Sequence, residues 1–588
     1  MWKFIKMTAA MFLALVLFVT IGILVVAGIV GAATQGSTVT IEDNSVLHIL
    51  LNQPIYEKEE ENPLSEIDVP FNNQRSGHGL IELKNNINKA SKDPKIKGIY
   101  INVREIDAGL AIVEELRNAI LEFKKSKKFV YAYSETFSEK SYYLVSACDK
   151  IYLNPVGLIE FNGLQYSSLF IKGALDKLEV QPQVFKAGNY KSAVEPFLRD
   201  NMSEYSRQQS LAFIQSINNY YLTNVAKARK IPVERAKIIQ DSMLVRNADD
   251  ALKYKLVDKL CYYDEVYELL KIKCGKKADE KLTLVSYKKY KQYAAPEEQK
   301  KESENKIAVI VAEGDINVGK SDDETIGSDD MSEDIRKART DDKVKAIVLR
   351  INSPGGSALA SDVMWREVVL AAKKKPIIAS MSDVAASGGY YLAMGCTKIV
   401  AQPNSITGSI GVFGLFFNVK NFFKNKLGVT YDGVKTGHFS DVGSAMREPT
   451  EYEKKAIQSE VDITYDIFVT KAAKGRKKSK DELYALASGR IYSGIDAKAN
   501  GLVDDLGGLD KAVALAAKAA KLGTDYEINY STGKKDFFEK IMETLSARMH
   551  TSGMEMMPAE LINPVKHVLK LKQMEGIQAR APFEMVVE

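Results

Sequence analysis

The chain has 588 residues, 45% of them hydrophobic, with 81 Lys and Arg set against 76 Asp and Glu. This balance excludes an intrinsically disordered chain and a polytopic membrane protein, and the interleaved signs leave no basic block long enough for a nucleic-acid groove, so no nucleic-acid partner is expected. The four cysteines, Cys148, Cys261, Cys274 and Cys396, lack CxxC spacing and read as buried thiols rather than metal ligands or a disulfide framework.

The chain opens with a short segment, residues 1–6, whose Lys3 and Lys6 flank an uncharged apolar run over residues 7–33. That run exceeds the roughly 20 residues needed to cross a bilayer and the shorter core of a cleaved secretory signal. It predicts an uncleaved transmembrane anchor with residues 1–6 cytoplasmic. Basic flanks stay on the cytoplasmic side, so the rest of the chain is expected across the membrane: in a bacterium, an inner-membrane, single-pass protein with a periplasmic body.

The body contains an internal repeat. DPKIKGIYIN from Asp93 matches DDKVKAIVLR from Asp341, and the same offset aligns Tyr142 and Tyr143 with Tyr390 and Tyr391, Cys148 with Cys396, and Gly163 with Gly411. Later, Leu256-Val257-Asp258 matches Leu502-Val503-Asp504. The predicted organisation is a first repeat over 45–288, a polar linker over 289–305, a second repeat over 306–520 and a tail over 521–588 to which the sequence assigns no role. Short β-branched runs such as Ile307 to Val311 and Ala346 to Ile351 alternate with helical patterns such as Ser361 to Ala372. This predicts an α/β fold with βαβ crossovers and a largely parallel sheet in each repeat.

Three small motifs cluster in the second repeat. INSPGGS, Ile351 to Ser357, ends a strand in a loop that can present backbone N–H groups to an oxyanion; alone it is equally a tight turn. DVAASGGYYLA, Asp383 to Ala393, places Ser387 between a strand and a helix, where it is a nucleophile or merely an N-cap. NSITGSIGVFG, Asn404 to Gly414, offers hydroxyls that could orient a base, or a turn entering a strand. A serine nucleophile needs a base. His48, His78, His550 and His567 lie outside the motifs, leaving His438 as the one histidine candidate.

Comparing the halves offers another base. At the position of Ser387 the first half has Glu139, and opposite Pro354-Gly355-Gly356 it has Ile106-Asp107-Ala108. Conversely, the second half has Ser440 where the first has Lys191, in KAGNYKSAVEPF. Each half therefore lacks what the other keeps, and a site is complete only where Lys191 meets Ser387, within one chain or between neighbours.

From the anchor through YKSAVEPF, NSPGGS, ASGGYY and TGSIGVFG to GLVDDLGG, the chain resembles the signal peptide peptidase A family, in its long two-domain membrane-anchored form also called protease IV. The resemblance implies two tandem ClpP/crotonase-like repeats after a single N-terminal transmembrane helix. It implies Ser387 as nucleophile, Lys191 as general base, Ser409 as the group that orients the lysine, and N–H groups near Gly355, Gly356 and Gly388 as the oxyanion hole. It further implies a homotetramer and, as substrates, remnants of cleaved signal peptides and similar short apolar peptides. Two features depart from the family pattern: the acidic stretch KEEEN within Tyr56 to Gly79, and the extreme tail.

A lysine with an ordinary pKa near 10.4 is almost wholly charged at pH 7 and cannot accept a proton, so burial must lower it. Ring assembly around Lys191 is the expected source of that burial. No cofactor or metal is called for, and neither a HExxH nor a P-loop pattern occurs. Two other functions fit parts of the pattern: a non-catalytic membrane-anchored oligomeric scaffold, and a crotonase-like acyl-CoA enzyme, which shares the oxyanion loop but needs neither Ser387 nor Lys191.

Overall fold

The computed structural model describes residues 39–59, 77–277, 279–294, 303–322, 324–532 and 576–581, with isolated positions among the first 21. The expected anchor at 7–33 lies almost wholly outside the described residues; among those described, no helix is long and apolar enough to cross a membrane.

The first half contributes β1 (Ser45–Leu51), β2 (Ile55–Tyr56), β3 (His78–Gly79), β4 (Ile96–Val103), β5 (Phe129–Phe137), β6 (Lys150–Ile159), β7 (Gln181–Ala187), β8 (Lys259–Leu260) and β9 (Leu284–Ser286). Six of them form a sheet in the order β8-β6-β5-β4-β1-β9 with every pair parallel. Its central strands are apolar on both faces: Ile99, Tyr100 and Ile101 are all buried, as a sheet covered on two sides by crossover helices requires.

The second half contributes β10 (Lys306–Glu313), β11 (Asp315–Asn317), β12 (Thr325–Gly327), β13 (Val344–Ser353), β14 (Gly355–Ser357), β15 (Ile377–Ala386), β16 (Lys398–Ala401), β17 (Ile406–Gly408), β18 (Val412–Asn418), β19 (Ile491–Ser493), β20 (Asp505–Leu506), β21 (Glu527–Ser531) and β22 (Gly576–Arg580). Its main sheet runs β19-β17-β15-β13-β10-β21, with β16 beside β15 and β20 beside β16. Only the β17/β19 pair in it is antiparallel. The chain is thus a tandem α/β repeat, and the likeness extends to single contacts. Helix Leu80–Lys92 answers to Ser328–Thr340, and Glu204–Arg229 to Glu451–Arg476. The Tyr142 hydroxyl donates to the Leu256 carbonyl at 2.8 Å, as Tyr390 does to Leu502 at 2.9 Å.

Two boundaries differ from expectation. Helix Tyr287–Gln292 and its fully buried Tyr290 belong to the first half, so the connection begins later than residue 289. Within the 521–588 tail, β21 extends the second sheet beside β10 and β22 enters a third sheet. A short polar strand such as EINYS carries too weak an alternation to be recognised before its partner is known.

That third sheet, ordered β12-β11-β14-β22-β18-β7, joins the halves. In it β7 of the first half runs antiparallel to β18 of the second, from Ala187 opposite Val412 to Gln181 opposite Asn418. Two buried polar contacts reinforce the union. Arg350 on β13 is fully buried and pairs with Glu57 at 2.7 Å and Glu115 at 2.7 Å, both from the first half. Asp383 on β15 accepts from the backbone N–H groups of Gly109, Ala111 and Ile112, capping helix Leu110–Phe123 of the other half.

Candidate active site

Ser387 stands where β15 turns into helix Gly388–Ala393, with φ 54° and ψ −112°, a left-handed backbone rare for a residue with a side chain. Its hydroxyl does not cap the helix. Ser387 thus holds the N-cap position without using its hydroxyl as a cap, and the side chain turns toward the first half.

What it meets there is Lys191. The lysine follows β7 after a turn at Gly188, and the β7/β18 pairing carries it across to the second half. The turn is locked by the Tyr190 N–H donating to the Ser488 carbonyl at 3.0 Å. Gly489, at φ 79°, permits the approach: a Cβ there would lie 2.7 Å from the Lys191 Cα. Lys191 Nζ lies 2.8 Å from Ser387 Oγ, 3.1 Å from Ser409 Oγ and 3.2 Å from the Ser409 carbonyl oxygen. Ser409 is itself held at φ 50° by its N–H donating to the Arg490 carbonyl at 2.7 Å.

This geometry suits a neutral amine, which has two N–H bonds and one lone pair. As placed, Nζ donates to Ser387 Oγ and to both oxygens of Ser409, and the Ser387 hydroxyl donates to the Gly411 carbonyl at 3.4 Å; a neutral amine has two N–H bonds for the Ser409 acceptors and a lone pair within reach of the Ser387 hydroxyl. Lys191 is fully buried and no carboxylate pairs with it among the described residues, so desolvation holds its pKa well below the ordinary lysine value. The expectation that subunits must close around Lys191 to dry it is corrected here. A single chain buries it completely, because the lysine sits between two halves of the same polypeptide.

The glycines divide by role. The Gly355 N–H donates to the Ser353 hydroxyl at 3.2 Å and is thereby occupied, whereas Gly356 lies in β14 and Gly388 directly follows Ser387. Gly355 instead supplies room: a Cβ there would stand 2.6 Å from the Gly388 nitrogen. His438 lies on an exposed loop against Phe439, whereas the group beside the buried Ser387 hydroxyl is Lys191.

Gln209 escaped the sequence reading. It is buried on helix Glu204–Arg229, donates to the Tyr190 carbonyl at 2.9 Å and to Ser192 Oγ at 2.9 Å, and accepts from the Ile491 N–H at 3.2 Å. It fastens the lysine turn to β19. Its only sequence signal is a glutamine on a helix face otherwise filled by Phe213 and Ile217.

Known proteins match both halves of the chain. Peptidase family S49 matches residues 122–279 and 370–523, one stretch in each half. The chain is 35% identical over 509 residues to Protease 4 of Salmonella typhi, covering 85% of this chain and 81% of that protein. It is 37% identical to Protease 4 of Haemophilus influenzae, covering 73% and 71%, and 36% identical to the chloroplastic serine protease SPPA of Arabidopsis thaliana, covering 76% and 66%. With a serine at a strained turn, two related halves and these relatives over most of its length, the chain belongs to peptidase family S49 and is a serine peptidase.

Proposed function

We propose that the chain is an endopeptidase that works through a Ser387–Lys191 dyad, each half built on the ClpP/crotonase plan. The observation that carries this reading is the 2.8 Å contact between Lys191 Nζ and Ser387 Oγ, both fully buried. Lys191 takes the proton as Ser387 Oγ attacks a peptide carbonyl carbon. The tetrahedral oxyanion rests on the N–H groups of Gly356 and Gly388, and the lysine ammonium then protonates the departing amine. Water, activated by the same lysine, hydrolyses the ester. Ser409 holds the amine in line throughout, and no cofactor enters the scheme.

The proposed substrates are remnants of cleaved signal peptides and similar short apolar peptides. The supports are the apolar run at 7–33, which would hold the body at a membrane surface, and a relative in Enterococcus faecium described as a putative signal peptide peptidase. The proposed setting is the inner membrane, with a single-pass anchor, a periplasmic body and a homotetrameric assembly.

The test is hydrolysis of a fluorogenic apolar peptide by the detergent-solubilised chain, with Ser387→Ala and Lys191→Ala variants shown to fold alike. Both variants should lose activity, and a serine-directed covalent probe should label wild type but not Ser387→Ala. Full activity in Lys191→Ala would refute the lysine base; full activity in Ser387→Ala would refute the nucleophile.

A further inference from the structure

The first half keeps the outline of the serine site with different chemistry in it. At the nucleophile position Glu139 is buried and turned inward, its Oε1 accepting from the Asn162 and Gly163 N–H groups at 2.8 and 2.7 Å. At the position of Gly388 stands Lys140, and Asp107 and Ala108 replace Gly355 and Gly356. A cavity of about 260 Å³ remains there, walled by Asp107, Ala108 and Lys140 on one side and by Val384, Asn404 and Ile406 of the second half on the other. Among the described residues no hydroxyl or thiol lines it. It is separate from the cleft at Ser387: Val384 and Ile406, which stand opposite each other on β15 and β17, precede Ser387 and Ser409 by three residues, about 10 Å of extended strand.

Three features of the wall specify an occupant. Leu110, Phe213, Ile217 and Ile406 form one buried apolar cluster that lines the cavity. Asn404 is only 3% exposed, yet its Oδ1 has no hydrogen-bond partner, a buried acceptor that a ligand N–H would satisfy. Lys140 Nζ donates to the Ala108 carbonyl at 3.2 Å and pairs with no carboxylate among the described residues, so the ammonium keeps donors for an anion. The Asp383 carboxylate beside it is already answered by the N–H groups of Gly109, Ala111 and Ile112, and Asp107 is exposed at the rim, where water screens it. An apolar body, an N–H donor and an anion within the length of one residue describe the carboxyl-terminal residue of a peptide.

We infer that this cavity is a second peptide site, which binds without cutting the free carboxyl end of a short apolar peptide. The terminal side chain lies among Leu110, Phe213, Ile217 and Ile406, its amide N–H donates to Asn404 Oδ1, and its carboxylate accepts from Lys140 Nζ. Cleavage of an apolar peptide leaves such an end, so the description of the ligand as a reaction product rests on the peptidase reading above, whereas the site rests on the cavity alone.

The test uses the full detergent-solubilised chain carrying Ser387→Ala, so that no ligand is cut, and reads the fluorescence anisotropy of dansyl-Leu-Phe against that of its carboxyl amide. Each further variant is first shown to keep the same circular dichroism. The free acid should bind saturably and at least about 10-fold more tightly than the amide. Lys140→Ala should abolish that preference, Lys140→Arg should keep it and Lys140→Glu should reverse it. Asn404→Leu should weaken both ligands by about 2–10-fold. Absence of saturable binding, or a preference for the acid that persists in Lys140→Ala and Lys140→Glu, would overturn the inference and leave the peptidase reading standing. Binding that responds to these variants as expected, in a protein whose unmutated form hydrolyses no apolar peptide, would establish the site and refute the peptidase reading instead.

Discussion

Lys191 reaches Ser387 as a buried amine with no counter-ion among the described residues, and under the proposed dyad its effects on catalysis and on stability pull in opposite directions. For catalysis, the limb of kcat/KM that rises with pH should report deprotonation of Lys191, with an apparent pKa well below the ordinary value near 10.4. A pH–rate profile whose limb stays near 10 would refute a desolvated base. For stability the sign is reversed. A depressed native pKa means the unfolded chain binds the extra proton, so stability rises with pH between the native and unfolded values and the penalty is absent above about 10.4. Lys191→Met should therefore raise the unfolding temperature at neutral pH, with a gain that shrinks as the pH approaches 10, while removing the base slows hydrolysis by about 10²–10⁴-fold. Ser409→Ala removes one acceptor and leaves the Ser409 carbonyl in place, a change of about 0.5–1.5 kcal/mol, or about 2–10-fold in kcat/KM, with KM little altered.

At the scale of elements, the site depends on how closely strands and turns from the two halves approach. Gly489→Ala places a methyl group 2.7 Å from the Lys191 backbone at a φ of 79°, so the lysine turn must move. Peptide hydrolysis should be lost while circular dichroism stays near wild type. Glu57→Ala leaves Arg350 with part of its charge unanswered in a fully buried position; breaking such a pair costs about 3–5 kcal/mol, seen as a lower unfolding temperature. Sequence comparison singled out Lys191 and Ser387, which the structure brings into contact, because a duplicated fold reports which half has lost which group. It also found the parallel sheets, since their β-branched runs are long and regular. Glu57 and Arg350 were invisible to it: a charged residue just before the KEEEN segment reads as solvated until a partner 293 positions away in sequence is seen beside it. Gln209 and β22 were hidden for a related reason, because their meaning lies wholly in long-range pairing.

For the molecule as a whole, the sheet shared between halves places Lys191 and Ser387 of one chain together, which answers a question the sequence left open. Mixed and co-refolded Ser387→Ala and Lys191→Ala chains should therefore recover no activity, whatever the assembly; recovery toward a quarter or more of wild type would show sites built between chains. The β7/β18 pairing also bears on how the protein is made. A ribosome delivers the lysine long before the serine, and the two meet only after the later half has folded and received β7 along its edge. Under the proposed dyad, a nascent chain until then carries a charged, solvated lysine and no activated nucleophile, so the capacity to cut other polypeptides is withheld from every partly made copy by the order of synthesis alone.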